Sequence, residues 1–238
     1  MTPSLPERLG LAGRELVSIV GAGGKSTMLF ALGRDLTAAG ARVILTTTTR
    51  VGADQPSEPI CWSADVAGVA AALEAAFLDG LPVFVAAGRA PGKIVGPSPE
   101  AIDRLFAETP ARFVVVEADG AHRLAIKAPA DHEPVVPGAS TTVIVVASLA
   151  AIGHPIAEVA HRPERVAGLI GAQPGDPLTL EGAAGVLLHP DGGLKGIPVQ
   201  ARVVMVLTRA GSAPAGLAAD LAALLAAHPR VDRAISLP

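Results

Sequence analysis

Two kinds of hydrophobic pattern alternate along the chain. Short, unbroken apolar runs rich in β-branched residues are separated by longer stretches in which apolar residues recur every three or four positions. Leu16–Val20 is a run of the first kind and ends at Gly21. Behind it Leu29, Leu32 and Leu36 recur at helical spacing, with Arg34 and Asp35 between them, until Gly40 stops the pattern. Arg42–Thr47 reads as the next strand, Asp65–Leu78 as an alanine-rich helix and Pro82–Ala87 as a third strand. Ser98-Pro99-Glu100 opens a helix running through Phe106, with Ser98 as N-cap and Pro99 in the first turn. Arg112–Val116, Thr142–Val146 and Val203–Leu207 are continuous apolar strands of the doubly buried type. A helix near Ala215–Ala227 and a strand at Val231–Ile235 close the series.

Such repeated alternation predicts an α/β fold of three layers, a mainly parallel sheet covered by helices on both faces. No repeat of fixed period and no low-complexity linker divides the chain, so a single domain over residues 1–238 is expected. Two stretches, near 120–138 and 153–196, turn irregular and rich in Pro, Gly and His. They are long for connections, which favours a functional surface there.

Composition narrows the classes. Of 238 residues, 50% are hydrophobic, which excludes a disordered or fibrous chain. Lys+Arg 19 against Asp+Glu 22 leaves a formal net charge of −3, with no global field for nucleic acid or an acidic membrane. Aromatic residues are only 3%, too few for base-stacking platforms. The single Cys61 excludes an internal disulfide framework and a cysteine-based structural zinc site. Mean hydropathy is high at +0.47, yet the longest candidate span, Val143–Ile152, is only about half the length a membrane helix needs. With no secretory pattern between Met1 and Gly13, a cytoplasmic protein without nucleic-acid or membrane partners is expected.

The most informative segment is Val17-Ser18-Ile19-Val20-Gly21-Ala22-Gly23-Gly24-Lys25-Ser26-Thr27. A strand feeds a glycine turn, and Lys-Ser-Thr then opens a helix. Glycines let backbone N–H groups turn inward around phosphate oxygens, and the helix start adds free donors and partial positive charge. Gly21 to Thr27 thus form a candidate nucleotide-binding turn, with Lys25 on the β/γ-phosphates and the Ser26 hydroxyl on Mg²⁺. The ordinary P-loop places its first glycine where this chain has Ile19, so the turn is two residues shorter if Gly21 takes that role. The bland alternative is a tight strand–helix turn with a solvated lysine.

Two further strand ends carry chemistry. Glu117 and Asp119 follow the Val114–Val116 run, and either can supply the carboxylate for Mg²⁺ and catalysis at the carboxyl edge of a parallel sheet. Acids also punctuate strand ends simply because they meet solvent. Thr46-Thr47-Thr48-Thr49-Arg50 places hydroxyls and a guanidinium after the second strand, which makes Thr48 and Arg50 candidates for a γ-phosphate or substrate anion. Lys93, Arg123 and Lys127 are further anion candidates, each equally readable as a solvated loop cation. His132 and Glu133 are adjacent and cannot complete a metal site alone. His161-Arg162 and His189 read as helix-flanking residues, and Cys61 beside Trp62 as a small hydrophobe rather than a nucleophile.

In their order and spacing these segments resemble the selenium-dependent molybdenum hydroxylase accessory proteins. The likeness rests on Gly21–Thr27, Thr46–Arg50, Gly92-Lys93-Ile94-Val95-Gly96 and Glu117-Ala118-Asp119-Gly120. It continues through Lys127-Ala128-Pro129-Ala130-Asp131-His132-Glu133-Pro134, His161-Arg162-Pro163-Glu164 and His189-Pro190-Asp191-Gly192-Gly193-Leu194-Lys195-Gly196. The resemblance implies a P-loop NTPase-like fold, ATP or GTP with Mg²⁺ as ligands, and a molybdenum hydroxylase or its cofactor as client. Lys25 and Ser26 would then be nucleotide ligands, and Glu117 or Asp119 the acid on the metal side. A guanine signature would fall at Thr208-Arg209-Ala210-Gly211, which lacks its Asn and Asp. With no arginine finger nameable, hydrolysis is expected to be slow. A kinase or nucleotidyl-type enzyme, and a degenerate client-binding protein without catalysis, are the rival readings.

Overall fold

The computed structural model describes residues 3–54, 56–209, 213–214 and 216–238. Ala210 and Gly211 of the guanine-signature position, and Ala215 at the expected start of the last helix, lie outside the described residues. The first half runs α1 (Leu5–Leu9), β1 (Glu15–Gly21), α2 (Lys25–Ala38), β2 (Val43–Thr47), β3 (Arg50–Gly52), β4 (Ile60–Cys61), α3 (Val66–Leu78) and β5 (Val83–Val85). Next come β6 (Gly88–Ala90), β7 (Lys93–Val95), α4 (Pro99–Glu108), β8 (Phe113–Glu117), β9 (Ile126–Lys127) and β10 (Thr142–Ser148). The remainder is α5 (Ile156–Val159), β11 (Ala160–His161), α6 (Pro163–Ile170), α7 (Leu180–Leu188), β12 (Arg202–Thr208), α8 (Leu217–Ala226) and β13 (Arg233–Ser236).

An eight-stranded sheet, ordered β13-β12-β10-β1-β8-β2-β5-β4, forms the middle layer. Every pairing within it is parallel. Its strands are apolar on both faces because both faces are covered, and alternate residues go to opposite sides. Val17 and Ile19 of β1, Val115 of β8, and Ile144 and Val146 of β10 pack with Leu29, Leu32 and Leu36 of α2. On the other face Leu16, Val114 and Val116 meet Leu73 of α3 and Ile102 and Leu105 of α4. Further along that face Val143 and Val145 meet Val166 of α6, Val186 of α7 and Leu221 of α8. The three-layer α/β architecture read from the periodicity is therefore present. No described helix is long and apolar enough to cross a membrane.

Two features go beyond the sequence expectation. The stretch 153–196 is not irregular throughout, since it contains α5, α6 and α7. Pro163 starts α6 and Gly171 ends it in the left-handed region, so the residues that obscured the periodicity are its own boundaries. A separate antiparallel ribbon, ordered β3-β7-β6, also stands beside the main sheet. The ribbon turns its apolar side inward, with Val51 and Ile94 buried in the α2-side core.

Strand β1 lies between β8 and β10, while the chain leaving it through α2 crosses to β2 on the far side of β8. Ligands of parallel sheets bind in the crevice beyond the strand ends at such a reversal. Gly21, Glu117 and Ser148 are the last residues of the three strands that meet there.

The ribbon is fixed to the sheet by Gly96, whose missing side chain leaves room for the Thr47 carbonyl. A Cβ at Gly96 would overlap that oxygen, whereas one at Gly88 meets open space. Gly96→Ala is expected to cost about 3 kcal/mol or more and lower Tm by ~6–12 °C. Gly88→Ala should leave the melt unchanged, and equal melts for the two variants would contradict this packing.

Candidate functional site

The turn between β1 and α2 follows a path that only glycine permits at three places. Gly21, Gly23 and Gly24 have φ of 95°, 80° and 129°. Crowding adds to the conformational demand: a Cβ at Gly21 would overlap the Val146 carbonyl, and one at Gly23 would come within 2.7 Å of Ser148 Cβ. The turn is tied from both sides. Ala22 N–H donates to the Val146 carbonyl at 2.8 Å, and Thr208 Oγ1 donates to the Gly23 carbonyl at 2.6 Å. Gly21 N–H donates to Asp119 Oδ2 at 3.1 Å.

Helix α2 starts at Lys25 with Gly24 as N-cap, no side-chain cap and no acidic residue in its first turn. Its leading N–H groups carry the positive end of the helix dipole without a side-chain acceptor. Gly23 to Met28 line a cleft of about 990 Å³.

The two acids that follow the β8 run, equal candidates in the sequence, have different surroundings. Glu117 Oε2 accepts a 2.7 Å hydrogen bond from Ser26 Oγ at the cleft wall. Burial pushes the Glu117 carboxyl up from its ordinary value, against the Lys25 charge and the Ser26 hydrogen bond. A cation in the cleft would favour its charged form. Asp119 instead lies beneath the turn, 2% exposed. Its Oδ2 is 2.9 Å from Lys127 Nζ and its Oδ1 is 3.2 Å from Lys25 Nζ, with no donor well aligned on Oδ1. Lys25 curls back over the turn and also donates to the Gly21 carbonyl at 2.8 Å.

Lys127 carries this buried charge outward. Besides Asp119, its ammonium donates to the Gly120 carbonyl at 2.6 Å and to Glu133 Oε2 at 2.9 Å. Arg162 Nη1 donates to the same Glu133 oxygen at 2.8 Å. Burial alone would raise the Glu133 pKa, yet the hydrogen bonds from Arg162 and Lys127 and their charges bring it from 4.5 down to about 2. His161, stacked on His122 with ring centroids 4.8 Å apart, is pulled to about 4 by burial and then by the charges of Arg162 and Lys127.

The candidate residues therefore separate into groups. Gly23, Gly24, Lys25, Ser26, Thr27, Glu117, Arg50, Lys93 and Arg123 line the cleft. Gly21 and Ala22 form the turn's entry, hydrogen-bonded to Asp119 and to the Val146 carbonyl. Thr48 and Lys127 are placed elsewhere. The Thr48 hydroxyl donates to the Val135 carbonyl at 2.8 Å, and Lys127 is buried on carboxylates. Among the described residues no three His, Cys, Asp or Glu side chains gather as a metal cluster, so His132 and Glu133 have no such company. His161 ends β11, Arg162 is the N-cap residue of α6, and His189 is the C-cap residue of α7, as helix-flanking residues would be. Cys61 is half-buried, its thiol 3.6 Å from the Ser63 carbonyl. Sequence reasoning missed Thr208, Arg162 and the stacked histidines as supports of the turn and its surroundings. Only the register of a folded sheet brings Thr208 to Gly23.

Residues 17–164, which carry the turn, both acids, Lys127, Glu133 and Arg162, match the family model described as YqeC protein. The chain belongs to the YqeC family. It is 33% identical over 196 residues to the uncharacterized protein YqeC of Escherichia coli (strain K12), covering 82% of this chain and 75% of that protein. The stretch His189–Gly196 lies beyond the segment matched by the YqeC family model. There Gly192 and Gly193 pack so closely on the end of α7 that a Cβ at either would overlap the carbonyls of Val186 and Leu187.

The two shifted groups set a pH dependence of stability. Unfolded His161 takes up a proton near 6.5 and folded His161 only near 4, so stability falls as pH drops from 6.5 to 4. Unfolded Glu133 is protonated near 4.5 and folded Glu133 only near 2, so its contribution is complete above 4.5 and is lost toward pH 2. Urea midpoints measured against pH should show His161→Asn flattening the upper window and Glu133→Gln the lower. Unchanged slopes in both variants would contradict the network.

Proposed function

We propose that this YqeC-family protein binds a nucleoside triphosphate with Mg²⁺ at the Gly21–Thr27 turn. We further propose that it uses binding and slow hydrolysis to assist maturation of a selenium-dependent molybdenum hydroxylase. The observation that carries the nucleotide reading is the uncapped start of α2 opening on a cleft of about 990 Å³ that also holds Lys25, Ser26 and Glu117. Free backbone donors, a dipole end and an ammonium together suit a polyphosphate and little else of comparable size.

The donor set fits the metal as well. Mg²⁺ takes hard oxygen ligands, keeps several waters and needs only one or two protein groups beside the phosphates. Ser26 Oγ and Glu117 Oε2, 2.7 Å apart, are such a pair, and Mg²⁺ bound there would supply charge neutralisation at the phosphates. Asp119 acts from behind, holding the turn and Lys25. On nucleotide binding the Lys25 ammonium exchanges the Gly21 carbonyl and Asp119 for phosphate oxygens. The maturation role draws on the resemblance of Gly21–Thr27, Gly92–Gly96, Glu117–Gly120, Lys127–Pro134 and His189–Gly196 to the accessory proteins.

Calorimetric titration of ATP, GTP and CTP, each with Mg²⁺, tests the reading. One nucleotide is expected to bind at micromolar affinity, and Lys25→Ala to weaken it about a hundredfold, the loss of two charge-assisted contacts. Ser26→Ala should weaken binding mainly when Mg²⁺ is present. Failure of every nucleotide to bind, or equal binding by Lys25→Ala, would contradict it.

A further inference from the structure

We propose that the cleft holds a second anion site, formed by Arg50, Lys93 and Arg123, which takes a phosphate-bearing small molecule alongside the nucleotide. The inference rests on the nucleotide reading for its pairing of ligands, though not for the site itself. Its cations come from two independent pieces of chain. Arg50 and Lys93 belong to the β3–β7 ribbon, where Arg50 pairs with Val95 and Gly52 with Lys93. Pairing in an antiparallel ribbon puts these four residues on one face, and Val51 and Ile94 on the other. The second face is sunk in the core, so the first is turned outward, and Arg50 and Lys93 line the cleft from it.

Arg123 reaches the same cleft from the exit of β8. It and His122 occupy the centre of a turn closed by Leu124 N–H on the Ala121 carbonyl at 3.0 Å. His122 and Arg123 have positive φ, 47° and 62° respectively, in positions that glycine or asparagine fills more easily. Stacking of His122 on His161 helps to hold the turn, and strain of this sort is kept where a side chain must be presented.

The three cations are exposed, and among the described residues none of them forms an ion pair. By contrast Arg89 of the same ribbon is engaged with the Trp62 ring, 4.0 Å from its centroid. Glu117 and Asp54 are carboxylates lining the cleft, and Glu117 is already turned to Ser26. The cleft's volume of about 990 Å³ stands at the upper end of the ~300–1,000 Å³ that single-ligand pockets span, leaving room beside a nucleotide. Guanidinium groups and an ammonium lining one cleft favour phosphate over neutral ligands.

The test is calorimetric titration of inorganic pyrophosphate into protein saturated with a non-hydrolysable Mg²⁺-nucleotide. Pyrophosphate is expected to bind as one further equivalent. The combined variant Arg50→Ala, Lys93→Ala, Arg123→Ala should weaken it about a thousandfold, at roughly tenfold per side chain, while nucleotide still binds. Arg104→Ala, an exposed charge on α4 outside the cleft, should leave it unchanged. Absence of the further equivalent, or equal affinity in the triple variant, would overturn the proposal. If no nucleotide binds at all, pyrophosphate is titrated into Lys25→Ala and into the triple variant. Binding that survives Lys25→Ala and is lost in the triple variant keeps the second site and refutes only the nucleotide reading. Any other pattern refutes the second site.

Discussion

One buried carboxylate organises the site. Asp119 accepts the Gly21 N–H, pairs with Lys127 through the same oxygen and faces Lys25 with the other. Two segments distant in sequence, 21–25 and 119–127, are joined at a residue with almost no access to water. A carboxylate in such a place is tolerated only because cations and an N–H surround it, and deleting one member of a buried pair typically costs ~3–5 kcal/mol. Lys25 and Lys127 are themselves buried, so each would be stranded without Asp119. The path of the glycine turn, the resting place of its lysine and the start of the loop after β8 all depend on this contact.

The charges around that point form one set. Lys25, Lys127 and Arg162 face Asp119 and Glu133, three cations against two carboxylates, directly behind a helix start that already favours anions. Glu117 also feels the charges of Lys25 and Lys127, so that its carboxylate completes the set. Glu117 is held at the cleft by Ser26 while Asp119 lies beneath the turn, so the two acids have different surroundings although they are only two positions apart.

Local chemistry was legible in the sequence, and long-range chemistry was not. A strand, glycine turn and Lys-Ser-Thr helix start are contiguous, and the apolar runs of β1, β8, β10 and β12 are unbroken because both faces of the sheet are covered. The expected parallel three-layer order followed from those runs. Thr208 could not be read as a support of Gly23, since 185 positions separate them. Lys127 carries the same side chain whether it meets solvent or a buried acid, and the loop sequence around it reads as polar in either case. Helices α5 to α7 were hidden by the prolines and glycines that bound them, and the β3–β7–β6 ribbon by strands only three residues long.

The central claim, that the start of α2 is a phosphate site held in readiness by Asp119, is tested most directly by amide chemical shifts. Isotope-labelled protein would be titrated with the Mg²⁺-nucleotide that binds, following the backbone resonances of Gly23, Gly24, Lys25, Ser26 and Thr27. The account predicts that these five shift together, with Gly21 moving as Lys25 leaves its carbonyl and Asp119. Shifts confined to other parts of the chain, with the turn unmoved at saturation, would contradict it.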